Sequence, residues 1–191
     1  HKDSYLLLFH GYGASGQDLL PLSYSLPTNI GVICLEGIFD VPYLAQGKCW
    51  FEISADLLGN RNPENWWSAN AQKSVEVATQ AIKDLQQKFA IAGIGGFSQG
   101  GVMALHLAHL IAHKPLFLMS TFLLGKDHLI VPESAIRQSH GTSDQVLPYS
   151  LGLRLNQFLQ EKKLPIEFFD FAGGHEIPQN IVDKLFKIGV W

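Results

Sequence analysis

The stretch Ile91-Ala92-Gly93-Ile94-Gly95-Gly96-Phe97-Ser98-Gln99-Gly100-Gly101 constrains this chain more than any other. An apolar run enters it, a serine stands between glycines, and the helix-compatible segment from Val102 to Ala112 follows. A chain that passes from a buried strand into a helix within so few residues must turn tightly, and the flanks of such a turn tolerate little beyond glycine. Gly96-Phe97-Ser98-Gln99-Gly100 matches G-x-S-x-G, the strand–turn–helix pattern that projects a serine hydroxyl from the carboxyl edge of a sheet. A glycine-rich turn that cradles phosphate is the alternative reading of the same residues.

The remaining chain supplies a sheet and helices to surround that turn. Tyr5 to Phe9 is a short, continuously apolar run suited to a strand buried on both faces of a parallel sheet, and Ile30 to Leu35, Leu116 to Met119, Ala135 to His140 and Ile166 to Phe171 read as further strands. Between them, Gln17 to Leu26 predicts a short helix with Pro21 near its start, and Tyr149 to Lys163 and Pro178 to Lys187 predict two more. Val75, Ala78, Ile82, Leu85 and Phe89 recur at spacings of three and four, which predicts an amphipathic helix from about Ser68 to Lys88. Alternating strands and helices imply an α/β fold with a mostly parallel sheet of about six strands in one domain, residues 1–191. The region from Glu36 to Trp67 is irregular and aromatic, as expected of a functional loop near the site.

At 191 residues, with 47% hydrophobic residues and a formal charge of −3, the chain can bury a sizeable core and shows no basic block for nucleic acid. Its two cysteines, Cys34 and Cys49, make neither a disulfide framework nor a zinc pattern. They fit a reducing compartment, so a cytoplasmic location is the expectation. The chain starts at His1 rather than methionine, which is compatible with a removed leading segment. No apolar run is long enough to span a bilayer. His106, His109 and His113 share one face of the helix after the elbow, but no carboxylate joins them, so a solvated polar face is expected rather than a metal site.

In an open α/β sheet, ligands bind beyond the carboxyl ends of the strands. Four loops there carry chemistry: His10-Gly11-Tyr12-Gly13, the turn at Ser98, Gly141-Thr142-Ser143-Asp144, and Gly173-Gly174-His175-Glu176. A serine needs a base to become a nucleophile, and the base needs an acid to fix its tautomer. Ser98, Asp144 and His175 supply the three in the chain order Ser, Asp, His. Asp127, Asp170 and Glu176 are rival acids; Asp170 lies within a strand, and Glu176 adjoins the base too directly to orient it. The backbone amides of Gln99 and Tyr12 are the expected oxyanion donors.

Leu8-Phe9-His10-Gly11-Tyr12-Gly13, Gly95-Gly96-Phe97-Ser98-Gln99-Gly100-Gly101, His140-Gly141-Thr142-Ser143-Asp144 with Val146-Leu147-Pro148, and Gly174-His175 resemble the phospholipase/carboxylesterase family. This family of small α/β hydrolases includes the acyl-protein thioesterases and lysophospholipase-like carboxylesterases. Cys49-Trp50-Phe51-Glu52-Ile53 is also similar to the family's Trp-Phe-Asp segment. The resemblance implies an α/β-hydrolase fold with Ser98 as nucleophile, His175 as base, Asp144 as acid, and Tyr12 and Gln99 as oxyanion donors. It also implies that Trp50 and Val146 border the acyl site. Phe122 and Leu123 join them as expected substrate-binding residues, with Leu147 beside them.

Three departures stand out. Only four residues precede the first strand, so the N-terminal hairpin is shortened or absent. Tyr12 stands where the family usually has leucine, and Ser120 to Gly125 follows the family pattern loosely. The expected activity is cofactor- and metal-independent hydrolysis of carboxylic esters, or thioesters, with an apolar acyl group. The expected substrate is a small-molecule or lipid-like acyl ester or an acylated protein, and the expected state is a monomer or homodimer. The rivals are a non-catalytic protein binding an acyl ligand or a partner on the same fold, and an amidase or acyltransferase using the same triad.

Overall fold

The computed structural model describes residues 2–53, 63–187 and 191. Strands β1 (Ser4–Phe9) and β2 (Ile30–Leu35) lie side by side, and a short antiparallel pair, β3 (Phe39–Asp40) and β4 (Lys48–Cys49), follows in the loop beyond them. With β5 (Ile91–Phe97), β6 (Leu116–Met119), β7 (Ile136–Gly141) and β8 (Ile166–Phe171) they form a six-stranded sheet in the order β2-β1-β5-β6-β7-β8. Every neighbouring pair in that sheet is parallel. The continuous apolar runs are explained by burial on both faces. Leu7 and Phe9 of β1 join the core on one side of the sheet, and Leu6 and Leu8 join the core on the other. Likewise, Leu116 and Leu118 of β6 face one core, and Phe117 and Met119 face the other.

Helix α1 (Ala69–Gln86) begins where Ser68 Oγ accepts the Ala71 N–H at 3.1 Å, and it buries Ala71, Ser74, Ala78 and Ile82. Helix α2 (Gln99–Leu107) starts at the elbow and is buried along its whole length, ending in a 3₁₀ turn at Ala108–Ile111. Helices α3 (Tyr149–Glu161) and α4 (Gln179–Leu185) complete the layers. The helix expected near Gln17 is a 3₁₀ helix, Gly16–Ser25, with Pro21 inside. Pro21 has no N–H to donate, so a regular α ladder cannot run through it.

The histidine face of α2 is not solvated as expected. His106 is 3% exposed, its Nε2–H donates to the Leu124 carbonyl at 2.8 Å, and its ring lies on Trp67 with centroids 4.5 Å apart. Burial lowers its pKa to about 4, so the ring is neutral. His109 Nδ1–H instead donates to the His106 carbonyl, and exposed His113 lies 3.6 Å from Glu133. Spacing along the helix placed the three residues on one face, but the Trp67 segment, distant in sequence, covers only the first. Part of the irregular loop, residues 54–62, lies outside the described residues. Among the described residues, no helix is long and apolar enough to cross a membrane.

Candidate active site

Ser98 stands between β5 and α2 with φ 54° and ψ −120°, a conformation that L-residues rarely adopt. Its surroundings hold it there. The Ser98 N–H donates to the Met119 carbonyl at 2.9 Å, and Thr121 Oγ1–H donates to the Ser98 carbonyl at 2.7 Å. Gly100 allows α2 to approach β1, because a Cβ there would collide with the Phe9 carbonyl. The serine is 7% exposed, at the floor of a cleft of about 330 Å³.

His175 lines the same cleft, its ring packed on Phe97 with centroids 4.7 Å apart. Its Nδ1 lies 2.7 Å from Asp144 Oδ2. A carboxylate oxygen accepts, so Nδ1 carries the hydrogen and Nε2 is left bare. The other oxygen, Asp144 Oδ1, accepts the N–H groups of Val146 at 2.9 Å and Leu147 at 2.8 Å. The carboxylate is thus fixed in both position and rotation. Gly141 lets the loops after β7 and β8 touch, since a Cβ there would strike the Gly174 carbonyl. The rival acids face other partners. Asp170 Oδ2 accepts the Tyr149 hydroxyl at 3.0 Å, Glu176 Oε1 accepts the Gly174 N–H at 3.2 Å, and Asp127 lies in the 3₁₀ turn Lys126–His128.

A second histidine, overlooked in the sequence, lies against the same carboxylate. Fully buried His140 donates from Nε2–H to the Leu147 carbonyl at 2.9 Å, with the same nitrogen 3.4 Å from Asp144 Oδ2. Burial holds its pKa below the usual histidine range. Its position in His140-Gly141-Thr142-Ser143-Asp144, four residues before the acid, was the available signal.

The cleft wall comprises Gly11, Tyr12, Ala14, Ile53, Phe97, Phe122, Val146 and Leu147, around Ser98 and His175. Tyr12, Phe122 and Val146 line this cleft, whereas Trp50 and Leu123 do not. Trp50 is 1% exposed and packs on Phe9 and His10 beneath the wall, and Leu123 lines a separate depression with Lys126 and Phe158. Trp50 carries an N–H at its edge, and a partner found inside the protein draws the ring inward.

A six-stranded parallel sheet with a serine elbow after β5 and polar loops after β7 and β8 defines an α/β hydrolase. Residues 1–188 match the Phospholipase/Carboxylesterase family, so the chain belongs to that family and is a hydrolytic enzyme of the ester-cleaving class. Among solved structures, esterase PE8 is similar to it with a TM-score of 0.81 at 23% identity, over 97% of this chain and 90% of that one. Zea mays acyl-protein thioesterase 2 matches with a TM-score of 0.72 at 21% identity, over 97% and 92% of the two chains. The carboxylesterase of Bacillus cereus gives 0.76 at 18% identity, over 97% and 86%.

Proposed function

We propose that this enzyme cleaves carboxylic esters, and thioesters by the same route, whose acyl group is apolar, using Ser98, His175 and Asp144. The observation that carries this reading is the 2.7 Å contact from His175 Nδ1 to Asp144 Oδ2, beside a strained serine in an apolar cleft. With Nδ1–H committed to Asp144, bare Nε2 takes the Ser98 proton as Oγ attacks the carbonyl carbon. Negative charge develops on the carbonyl oxygen, where the Gln99 and Tyr12 amides receive it. His175 then gives the proton to the leaving alcohol or thiol, leaving an acyl-serine. A water, deprotonated by the same Nε2, attacks the acyl carbon, and Ser98 leaves with the proton as the free acid departs. Phe122, Val146, Leu147, Ile53 and Tyr12 accept the acyl chain.

A fluorophosphonate probe should label Ser98. Ser98→Ala should lose both labelling and ester hydrolysis, leaving at most about 10³–10⁴ over the uncatalysed rate from binding and the oxyanion donors. Labelling of another serine, or full activity in Ser98→Ala, overturns the mechanism. Turnover of amides above esters, or acyl transfer to added nucleophiles above hydrolysis, would move the reaction class to an amidase or an acyltransferase.

A further inference from the structure

Every hydrogen-bonding group of Trp50 has a partner in the core. Its N–H donates to Gln99 Oε1 at 2.8 Å, its carbonyl accepts Ser74 Oγ–H from α1, and its indole Nε1–H donates to the His10 carbonyl at 2.9 Å. Gln99 completes a clamp by donating from Nε2 to the Phe51 carbonyl at 2.8 Å. The chain of contacts continues through His10. Because the Gly37 N–H donates to His10 Nε2 at 2.9 Å, that nitrogen is bare, so Nδ1 carries the hydrogen and donates to the Gly11 carbonyl at 2.7 Å. In a trans peptide the C=O and the following N–H point in opposite directions. A Gly11 carbonyl held toward His10 therefore turns the Tyr12 N–H away from His10, in a loop whose Gly11 and Tyr12 line the cleft with Ser98.

These contacts add a side-chain link between the loop after β1 and the start of α2, beside the strand pairing of β1 with β5. At one end is Gln99, whose own N–H, at the first position of α2, has no intrahelical acceptor. At the other is the Tyr12 amide. We propose that Trp50 is a positioning residue, a buried strut that sets the separation and direction of the two oxyanion donors while touching no substrate. This rests on the reading of Ser98, Tyr12 and Gln99 above. Rigid indole suits the task, since it spans from the β4 segment to the end of β1 with only two side-chain torsions. A donor misplaced by a fraction of an ångström weakens most where charge develops, so the strut acts on the chemical step rather than on binding.

Trp50→Phe keeps an aromatic side chain but removes the indole donor. On a hexanoyl p-nitrophenyl ester, kcat should fall roughly ten- to hundredfold, less than the 10²–10³ typical for deleting a donor outright, with KM within about twofold. The Ki of an alkyl trifluoromethyl ketone, whose serine adduct carries the oxyanion, should rise by a similar factor. The preference among acyl lengths should not move. Ser98→Ala run in parallel tests the underlying mechanism separately: if it stays active, the triad reading fails whatever Trp50→Phe does. With that control inactive, unchanged kcat and ketone affinity in Trp50→Phe overturn the strut, as does a loss confined to KM with an altered length preference. If Trp50→Phe does not fold, Ser74→Ala decides. Releasing the Trp50 carbonyl should lower kcat at constant KM, and an unchanged kcat overturns the proposal.

Discussion

The floor and the rim of the cleft differ in what holds them. At the floor, the backbone N–H and C=O of Ser98 are both bound, the Gln99 side chain is clamped to two backbone groups, and Gly100 leaves no room for a methyl group. At the rim, Val146 is 56% exposed and Tyr12 is 38% exposed. Closely packed, fully bonded groups change only at a cost to the fold or the rate, whereas half-exposed side chains change with little effect on either. The chemistry is therefore expected to be invariant to substitutions at the rim, and the acyl preference to be set there.

The strongest test attacks the floor. Asp144→Asn should fold and yet lose about 10³–10⁴ in kcat, because an amide at Oδ2 favours the wrong imidazole tautomer. Asp170→Asn, which loosens only an exposed contact with Tyr149, should stay within a few fold. Reversed results would move the acid to Asp170. A second test belongs to the wall. Along p-nitrophenyl esters from acetyl to hexanoyl, kcat/KM should climb, since each buried methylene is worth about 0.8 kcal/mol, roughly fourfold. Phe122→Ala should flatten that climb and Leu123→Ala should not; a profile already flat in the unmodified enzyme removes the apolar groove.

The smallest effect lies at the far end of α2 and keeps loss of activity apart from loss of fold. His106 is neutral when folded, with its pKa lowered by burial from 6.5 to about 4. Between those values the unfolded chain binds a proton that the folded chain refuses, so stability is complete above the window and is lost as pH falls through it. Urea unfolding at pH 5 against pH 7.5 should show a loss of about 2 kcal/mol from this residue. His106→Gln should lose that much less on acidification, and equal losses in the two proteins would refute the assignment.

The same contrast explains what could be read before the fold was known. Strand β6 ends where its apolar run ends, because burial on both faces leaves a local signature. The shared sheet edge of Ser98, Asp144 and His175 was legible because each follows a strand, whose end fixes where the next residues stand. The facing of Trp50 and Leu123 and the burial of His106 were not legible. For Trp50 and His106 the outcome depends on which distant segment arrives on top: Gln99 for Trp50, Trp67 for His106. The clamping role of the Gln99 side chain was hidden for the same reason, since its partners at Trp50 and Phe51 lie far away in sequence.

The backbone at Ser98 puts two demands on one residue in opposition. A positive φ in an L-residue costs on the order of 1–3 kcal/mol, and glycine would relieve most of it. Against a typical total stability of about 5–15 kcal/mol, that is a sizeable fraction surrendered at a single position. Under the mechanism proposed above, selection of variants for heat resistance alone would favour losing the hydroxyl, and the hardiest chains from such a selection would be inert. Any effort to toughen this enzyme must therefore be scored on turnover, with the turn between β5 and α2 left out of the search.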